Sequence, residues 1–212
     1  MTELLLSRPN LGATRMGTPV WEMAYFYPVQ GEWSESEYLS LESRQFLVEF
    51  DNGYLEFLTM PTRAHQRIML FLYRMIWSFL ETNEVGGEVL VAPLPVKLWG
   101  KKYREPDLVY LSASHVEQSD ERYLEGASLV MEVVSDSVQD RYRDLIEKRE
   151  EYAQAGIPEY WTVDPEQKRI TVLHLSDKKY GVHGEFGEGE RATSVLLDGF
   201  EVEVTAVFAA AN

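Results

Sequence analysis

Apolar residues recur along this chain with two different periods, and the alternation between them sketches a mixed α/β protein. Ser34-Glu35-Ser36-Glu37 predicts a short helix running through Leu41, because a serine hydroxyl and early glutamates complement the amide end of a helix. Phe46 to Phe50 and Tyr54 to Leu58 flank Asp51-Asn52-Gly53, and Asn-Gly supplies the positive φ angles of a tight turn, so this is read as a β-hairpin. From Thr62 to Thr82 the residues Ile68, Leu72, Met75, Ile76, Phe79 and Leu80 return every three or four positions, which predicts one long helix with a broad buried face. Apolar runs at Glu88 to Leu98, Asp107 to Leu111 and Ser128 to Val134 read as strands. Arg141 to Ala155 is a second amphipathic helix, stopped by Gly156 and Pro158. Glu159 to Val163 and Arg169 to Leu175 are strands around an Asp164-Pro165 turn, and Tyr180 to Phe186 is a weaker one. Phe200 to Val204 leads into a short helix, Val207 to Ala211.

The pattern predicts one α/β domain, residues 33–212, whose central mixed sheet is flanked by two helices. Residues 1–32 form an irregular arm, whose Trp21, Tyr25, Phe26 and Tyr27 are expected to pack on the domain or on a partner subunit. A length of 212 residues with 45% hydrophobic content suffices for a sizeable core. The absence of cysteine excludes disulfides, thiolate zinc sites and cysteine nucleophiles. No apolar window is long enough for a membrane span, and MTELLLSRPNLGATRMG has no basic region of the signal-peptide kind, so the expected location is the cytoplasm. A net charge of −15 argues against a protein that coats nucleic acid. Two cationic runs leave room for local basic patches: Lys97, Lys101, Lys102 and Arg104, then Arg141, Arg143, Lys148 and Arg149.

Three features carry candidate chemistry. Asp107 stands just before the apolar strand Leu108 to Leu111, Glu132 sits inside the apolar strand Leu129 to Val134, and Lys148 lies on the following helix. A carboxylate within a buried strand is costly unless paired, hydrogen-bonded or bound to a cation. If the two strands are neighbours, Asp107 and Glu132 converge at one sheet end. Two carboxylates completed by waters and phosphate oxygens are a common magnesium site, and a nearby lysine suits the hydrolysis of a phosphodiester. Each residue also has a structural explanation: turn chemistry for Pro106-Asp107, a satisfied buried acid for Glu132, a solvated helix face for Lys148. Asp144 lies one turn before Lys148 and is placed to pair with it, and Tyr152 shares that face. Tyr160 and Trp161 read as core. No HExxH, phosphate-binding glycine loop or G-x-S-x-G motif is present.

The segments PDLVYL, LVMEVVSDSV and RDLIEKREEYAQAGIPEYWTVDP, between Pro106 and Pro165, resemble the Uma-type restriction endonuclease family of the PD-(D/E)XK nuclease superfamily. Upstream, VEFDNGYLEFLTMPTRAHQRI resembles the family's acidic hairpin and the helix beginning near a histidine, so the likeness runs from about Tyr38 to the C-terminus. The resemblance implies a restriction endonuclease-like fold, with Asp107 and Glu132 as metal carboxylates and Glu49 as an additional acid at the site. It puts the catalytic lysine at Lys148, since Val134 stands where a simple E-x-K would have lysine. His65 matches the family's histidine position. The expected activity is therefore Mg²⁺- or Mn²⁺-dependent cleavage of DNA by a homodimer. The alternative is a catalytically weak or inactive nuclease fold that serves as a dimeric binding or scaffold module.

Overall fold

The computed structural model describes residues 27–41 and 47–212. Most of the expected arm, and Phe46 at the start of the expected hairpin, lie outside the described residues. Helix α1 (Glu35–Leu39) starts with the reciprocal cap its sequence predicts: the Ser34 hydroxyl accepts from the Glu37 amide at 3.2 Å, and the Ser34 amide donates to Glu37 Oε2 at 2.9 Å. Asn52 and Gly53, with φ of 47° and 93°, turn β1 (Val48–Asp51) into β2 (Tyr54–Phe57). Thr62 caps α2 (Arg63–Thr82), its hydroxyl accepting from the His65 amide at 3.2 Å. Ile68, Met69, Leu72, Ile76 and Leu80 are buried along one face of α2. At about 2 kcal/mol for each buried side chain, that face contributes on the order of 10 kcal/mol before the entropy of ordering is counted.

The run expected as one strand from Glu88 to Leu98 divides in two. Pro93 and Pro95 remove amide donors from its middle, so the chain leaves β3 (Glu88–Val91) and enters β4 (Val96–Trp99) in a different sheet. Next come β5 (Lys102–Arg104), β6 (Leu108–Leu111), α3 (Ala113–Gln118), β7 (Leu124–Glu125) and β8 (Leu129–Val133). The helix expected at Arg141 begins earlier and changes pitch. It consists of α4 (Val138–Tyr142), a π-helical turn (Arg143–Glu147) and α5 (Lys148–Ala155), and it ends at Gly156 with φ of 82°. The chain closes with β9 (Glu159–Asp164), β10 (Arg169–Ser176), β11 (Lys179–Phe186), β12 (Arg191–Thr193), β13 (Glu201–Glu203) and α6 (Val204–Ala209).

The main sheet has the order β11-β10-β9-β8-β6-β3 and is antiparallel except between β8 and β9, which α4 and α5 connect. One face packs on α2 and α6 through Leu129, Met131, Trp161, Val207 and Phe208. The other packs on α5 through Val109, Val130 and Tyr160 against Tyr152 and Ala153. This is the expected central mixed sheet flanked by helices. A second sheet, β2-β1-β5-β4-β7, stands beside it, and Trp33, Tyr38, Phe50 and Tyr103 form its own core. Among the described residues, no helix is long and apolar enough to cross a membrane.

Candidate active site

Strand alternation builds the site. Leu129, Met131 and Val133 of β8 join the core under α2, which turns Val130 and Glu132 toward α5. Strand β6 pairs antiparallel with β8 up to Leu108 opposite Met131, and one residue further stand Asp107 and Glu132. The two acids expected to converge therefore meet at one end of neighbouring strands. Asp107 prolongs the ladder with its side chain, Oδ2 accepting from the Val133 amide at 2.8 Å. His65, in the first turn of α2, brings Nε2 to 3.1 Å from the same oxygen. Its Nδ1 is buried and has no hydrogen-bond partner among the described residues.

Lys148 opens α5 and is 2% exposed. Its ammonium lies 2.7 Å from Glu132 Oε1, 3.5 Å from Glu49 Oε1 and 3.6 Å from Asp144 Oδ1. Tyr152, one turn later, donates to the same Glu132 oxygen at 2.7 Å. Lys148 is thus an internal ion-pair partner and not the solvated side chain its sequence context allows. Glu49 reaches it from β1 in the second sheet and spends both oxygens on donors. Oε2 pairs with Arg104, while Oε1 faces Lys148 and accepts from the Glu105 amide at 3.1 Å. The additional acid expected at the site is present, but it is saturated.

Of the two cationic runs that left room for local basic patches, Lys102, Arg104, Arg143 and Lys148 are buried, while Lys101 stays exposed. Arg104 forks onto Glu151 at 2.6 and 2.9 Å and also pairs with Glu49 and Glu56. Lys102 reaches Glu151 at 2.7 Å and Asp51 at 2.9 Å, and Lys97 reaches Glu35 at 3.0 Å. Arg143 lies between Asp140 at 2.8 Å and Asp144 at 3.3 Å, and Arg141 pairs with Asp164. Except for Arg143, whose Asp140 and Asp144 are local, partners distant in sequence use these charges up, and nothing in the local composition indicates it. Arg104 and Glu151 were missed as site residues for the same reason.

These surroundings separate the protonation of the two buried glutamates. Burial pushes Glu49 up, but Lys148 and Arg104 outweigh it and hold the carboxyl down at about 2. For Glu132 burial dominates, and Asp107 and Asp144 add repulsion that Lys148 does not cancel, so its carboxyl rises to about 7. Burial would strip Lys148 of its proton, yet Glu132, Glu49 and Asp144 more than compensate, and the ammonium is held charged. Burial also lowers His65, but contact with Asp107 carries it the other way, to a net rise.

This donor set suits a divalent cation. Among the described residues nothing donates a hydrogen bond to Asp107 Oδ1 or Glu132 Oε2, so each acid keeps one oxygen in hand. Asp107, with 18% of its side chain exposed, is the member open to solvent. No three acids or histidines converge as a full ligand cage among the described residues. Asp107 Oδ1 and Glu132 Oε2 are hard oxygen donors of the kind a divalent cation could use alongside water.

Residues 35–206 match the model of a family described as Uma2, Putative restriction endonuclease. The fold is similar to the crystal structure of a putative nuclease belonging to DUF820 from Anabaena variabilis. The TM-score is 0.67 at 15% identity, covering 87% of this chain and all of that one. No curated protein matches the chain.

Proposed function

The chain belongs to the Uma2 family, and from that premise we propose that it is a divalent-metal-dependent nuclease that hydrolyses phosphodiester bonds of DNA. The observation that carries the reading is the pair of free carboxylate oxygens, Asp107 Oδ1 and Glu132 Oε2, on adjoining strand ends with a buried ammonium behind one of them. In this reading Asp107 and Glu132 hold Mg²⁺ or Mn²⁺. The bound ion would polarise the scissile phosphate and acidify a water. Lys148 and Tyr152 hold Glu132 by Oε1, and no donor among the described residues reaches Oε2. Because Lys148 keeps its proton, it acts as a fixed positive charge and a positioning residue, not as a proton acceptor. His65 steadies Asp107, and Glu49 fixes Lys148 and Arg104 instead of entering the coordination sphere. We further propose that two copies related by symmetry present two such sites, one for each strand of a duplex.

A competing reading, a non-catalytic scaffold, draws on the fact that Lys148 and Glu49 are wholly engaged by internal partners. Metal titration separates the two. Mn²⁺ should raise the melting temperature of the chain by mass action, and plasmid or single-stranded DNA should be cut only in its presence. Asp107→Ala and Glu132→Ala should abolish both effects while the metal-free melts stay cooperative. Wild-type rates in both variants would overturn the assignment.

A further inference from the structure

The outer face of α2 carries charge that the fold does not use. Helix α2 carries three arginines, Arg63, Arg67 and Arg74, and its one acid, Glu81, stands in the last turn. Among the described residues, the ion pairs of this protein include none of the three, whereas Lys102, Arg104, Arg141, Arg143, Lys168, Arg169 and Arg191 are paired. Arg67 donates to the Ala211 carbonyl at 3.2 Å. Arg63 stands in the first turn, against the positive end of the helix dipole, and that turn holds no acid to offset it. Such a placement weakens the helix, so stability does not account for it.

Spacing supplies the second observation. Arg63, Arg67, Leu70, Arg74 and Trp77 follow one another at four- and three-residue steps, which puts them on one stripe. Leu70 is 46% and Trp77 51% exposed. Arg67, Leu70 and Arg74 line an open groove of about 430 Å³ against Ala206 of α6 and Ala210 at its end. A symmetric contact with a second copy would set these arginines against their own equivalents. A polyanion meets no such cost, and guanidinium groups interleaved with an indole suit phosphates interleaved with bases. The first turn of the same helix reaches the candidate site, where His65 touches Asp107.

We propose that the outer face of α2 is the docking track for a nucleic-acid strand, with Arg63, Arg67 and Arg74 on phosphates and Trp77 stacked on an unpaired base. The proposal rests on the nuclease reading for its direction, since the strand would lead to Asp107 and Glu132. Binding of a labelled 20-nucleotide oligothymidylate to the full chain in EDTA, followed by anisotropy, tests the track apart from catalysis. Arg63→Ala with Arg74→Ala should weaken binding about ten-fold at low salt and flatten the salt dependence of log K by roughly 1.4, at about 0.7 for each single-strand phosphate no longer neutralised. Trp77→Ala should weaken it about ten-fold and Trp77→Phe much less, as stacking requires. Mn²⁺-dependent hydrolysis of bis(p-nitrophenyl) phosphate, too small to reach the stripe, should be unchanged in these variants and lost in Asp107→Ala. Unchanged affinity and salt slope in natively melting stripe variants would overturn the track and leave the nuclease reading standing. Binding through the stripe without hydrolysis of either substrate would uphold the track and sink that reading. A dimer in sedimentation that Trp77→Ala dissociates would overturn the track in favour of self-association.

Discussion

Strands β8 and β9 lie side by side, and each buries a glutamate, Glu132 at 3% and Glu159 at 0% exposure. Their surroundings differ in kind. Glu159 is met by four neutral donors: Trp161 Nε1 at 2.6 Å and Ser194 Oγ at 2.7 Å on one oxygen, the amides of Val195 and Leu196 at 2.7 and 2.8 Å on the other. Every donor is a fixed part of the fold, and the carboxylate pins the 194–197 loop to the sheet. Glu132 has Oε1 held by a cation and a phenol, and among the described residues Oε2 has no donor. Burial of an acid therefore does not mark function. What matters is whether its lone pairs are all used, and by what.

Substitution should separate the two glutamates most sharply. Glu132→Ala should reduce metal-dependent cleavage about a thousand-fold, equivalent to roughly 4 kcal/mol of transition-state stabilisation. Glu159→Ala should leave cleavage per folded molecule intact but strand four donors, the Trp161 indole fully buried, at a cost of about 3–5 kcal/mol and a fall of roughly 10 °C in melting temperature. If Glu159→Ala abolished cleavage without moving the melt, the contrast would be wrong.

Metal-free stability against pH is the next test, because the buried glutamates at the site pull in opposite directions. Glu49, held down at about 2, contributes stability that is present above the ordinary glutamate value and lost as pH falls from there toward 2. Glu132, raised to about 7, behaves in reverse: its contribution is complete below the ordinary value and is lost as pH rises toward 7 and beyond. Each is worth on the order of 3 kcal/mol across its window. Denaturant melts of Glu132→Gln should lack the decline between about pH 4.5 and 7, and wild type with Mn²⁺ should lose part of it. A decline of wild-type size in Glu132→Gln would place the titrating group elsewhere. The smallest effect belongs to Tyr152→Phe, which removes one donor from Glu132. It should cost about 1–2 kcal/mol in chemical denaturation and lower kcat several-fold with KM unchanged; a change confined to KM would instead give Tyr152 a part in binding.

Much of this was legible in the sequence because it is local. The Asn52-Gly53 hairpin, the Ser34 cap, the periodic face of α2 and the apolar strands around Glu132 each depend on residues a few positions apart. Asp107, Glu132 and Lys148 could be chosen together because a buried-strand acid demands a partner and the family resemblance named one. The second sheet was hidden because β5 and β7 are too short to show a period and prolines split the run from Glu88 to Leu98. The inward turn of Lys102 and Arg104 was hidden because their partners lie on other elements. Even Glu159 looked like an ordinary strand start, since its donors at 194–196 come from a loop more than thirty positions away.

Lys148 arrives on the connection between β8 and β9, long after the chain has laid down Glu49, Asp107 and Glu132. Those acids cannot be taken from water without a counter-charge, because an uncompensated buried carboxylate costs several kcal/mol. Docking of the crossover helix therefore supplies the ammonium for Glu132 and the second cation for Glu49, so the site and the sheet rim stabilise one another. Loosening that helix would leave Glu132 without its cation and its phenol together, so the geometry proposed for cleavage depends on the crossover as much as on the strands.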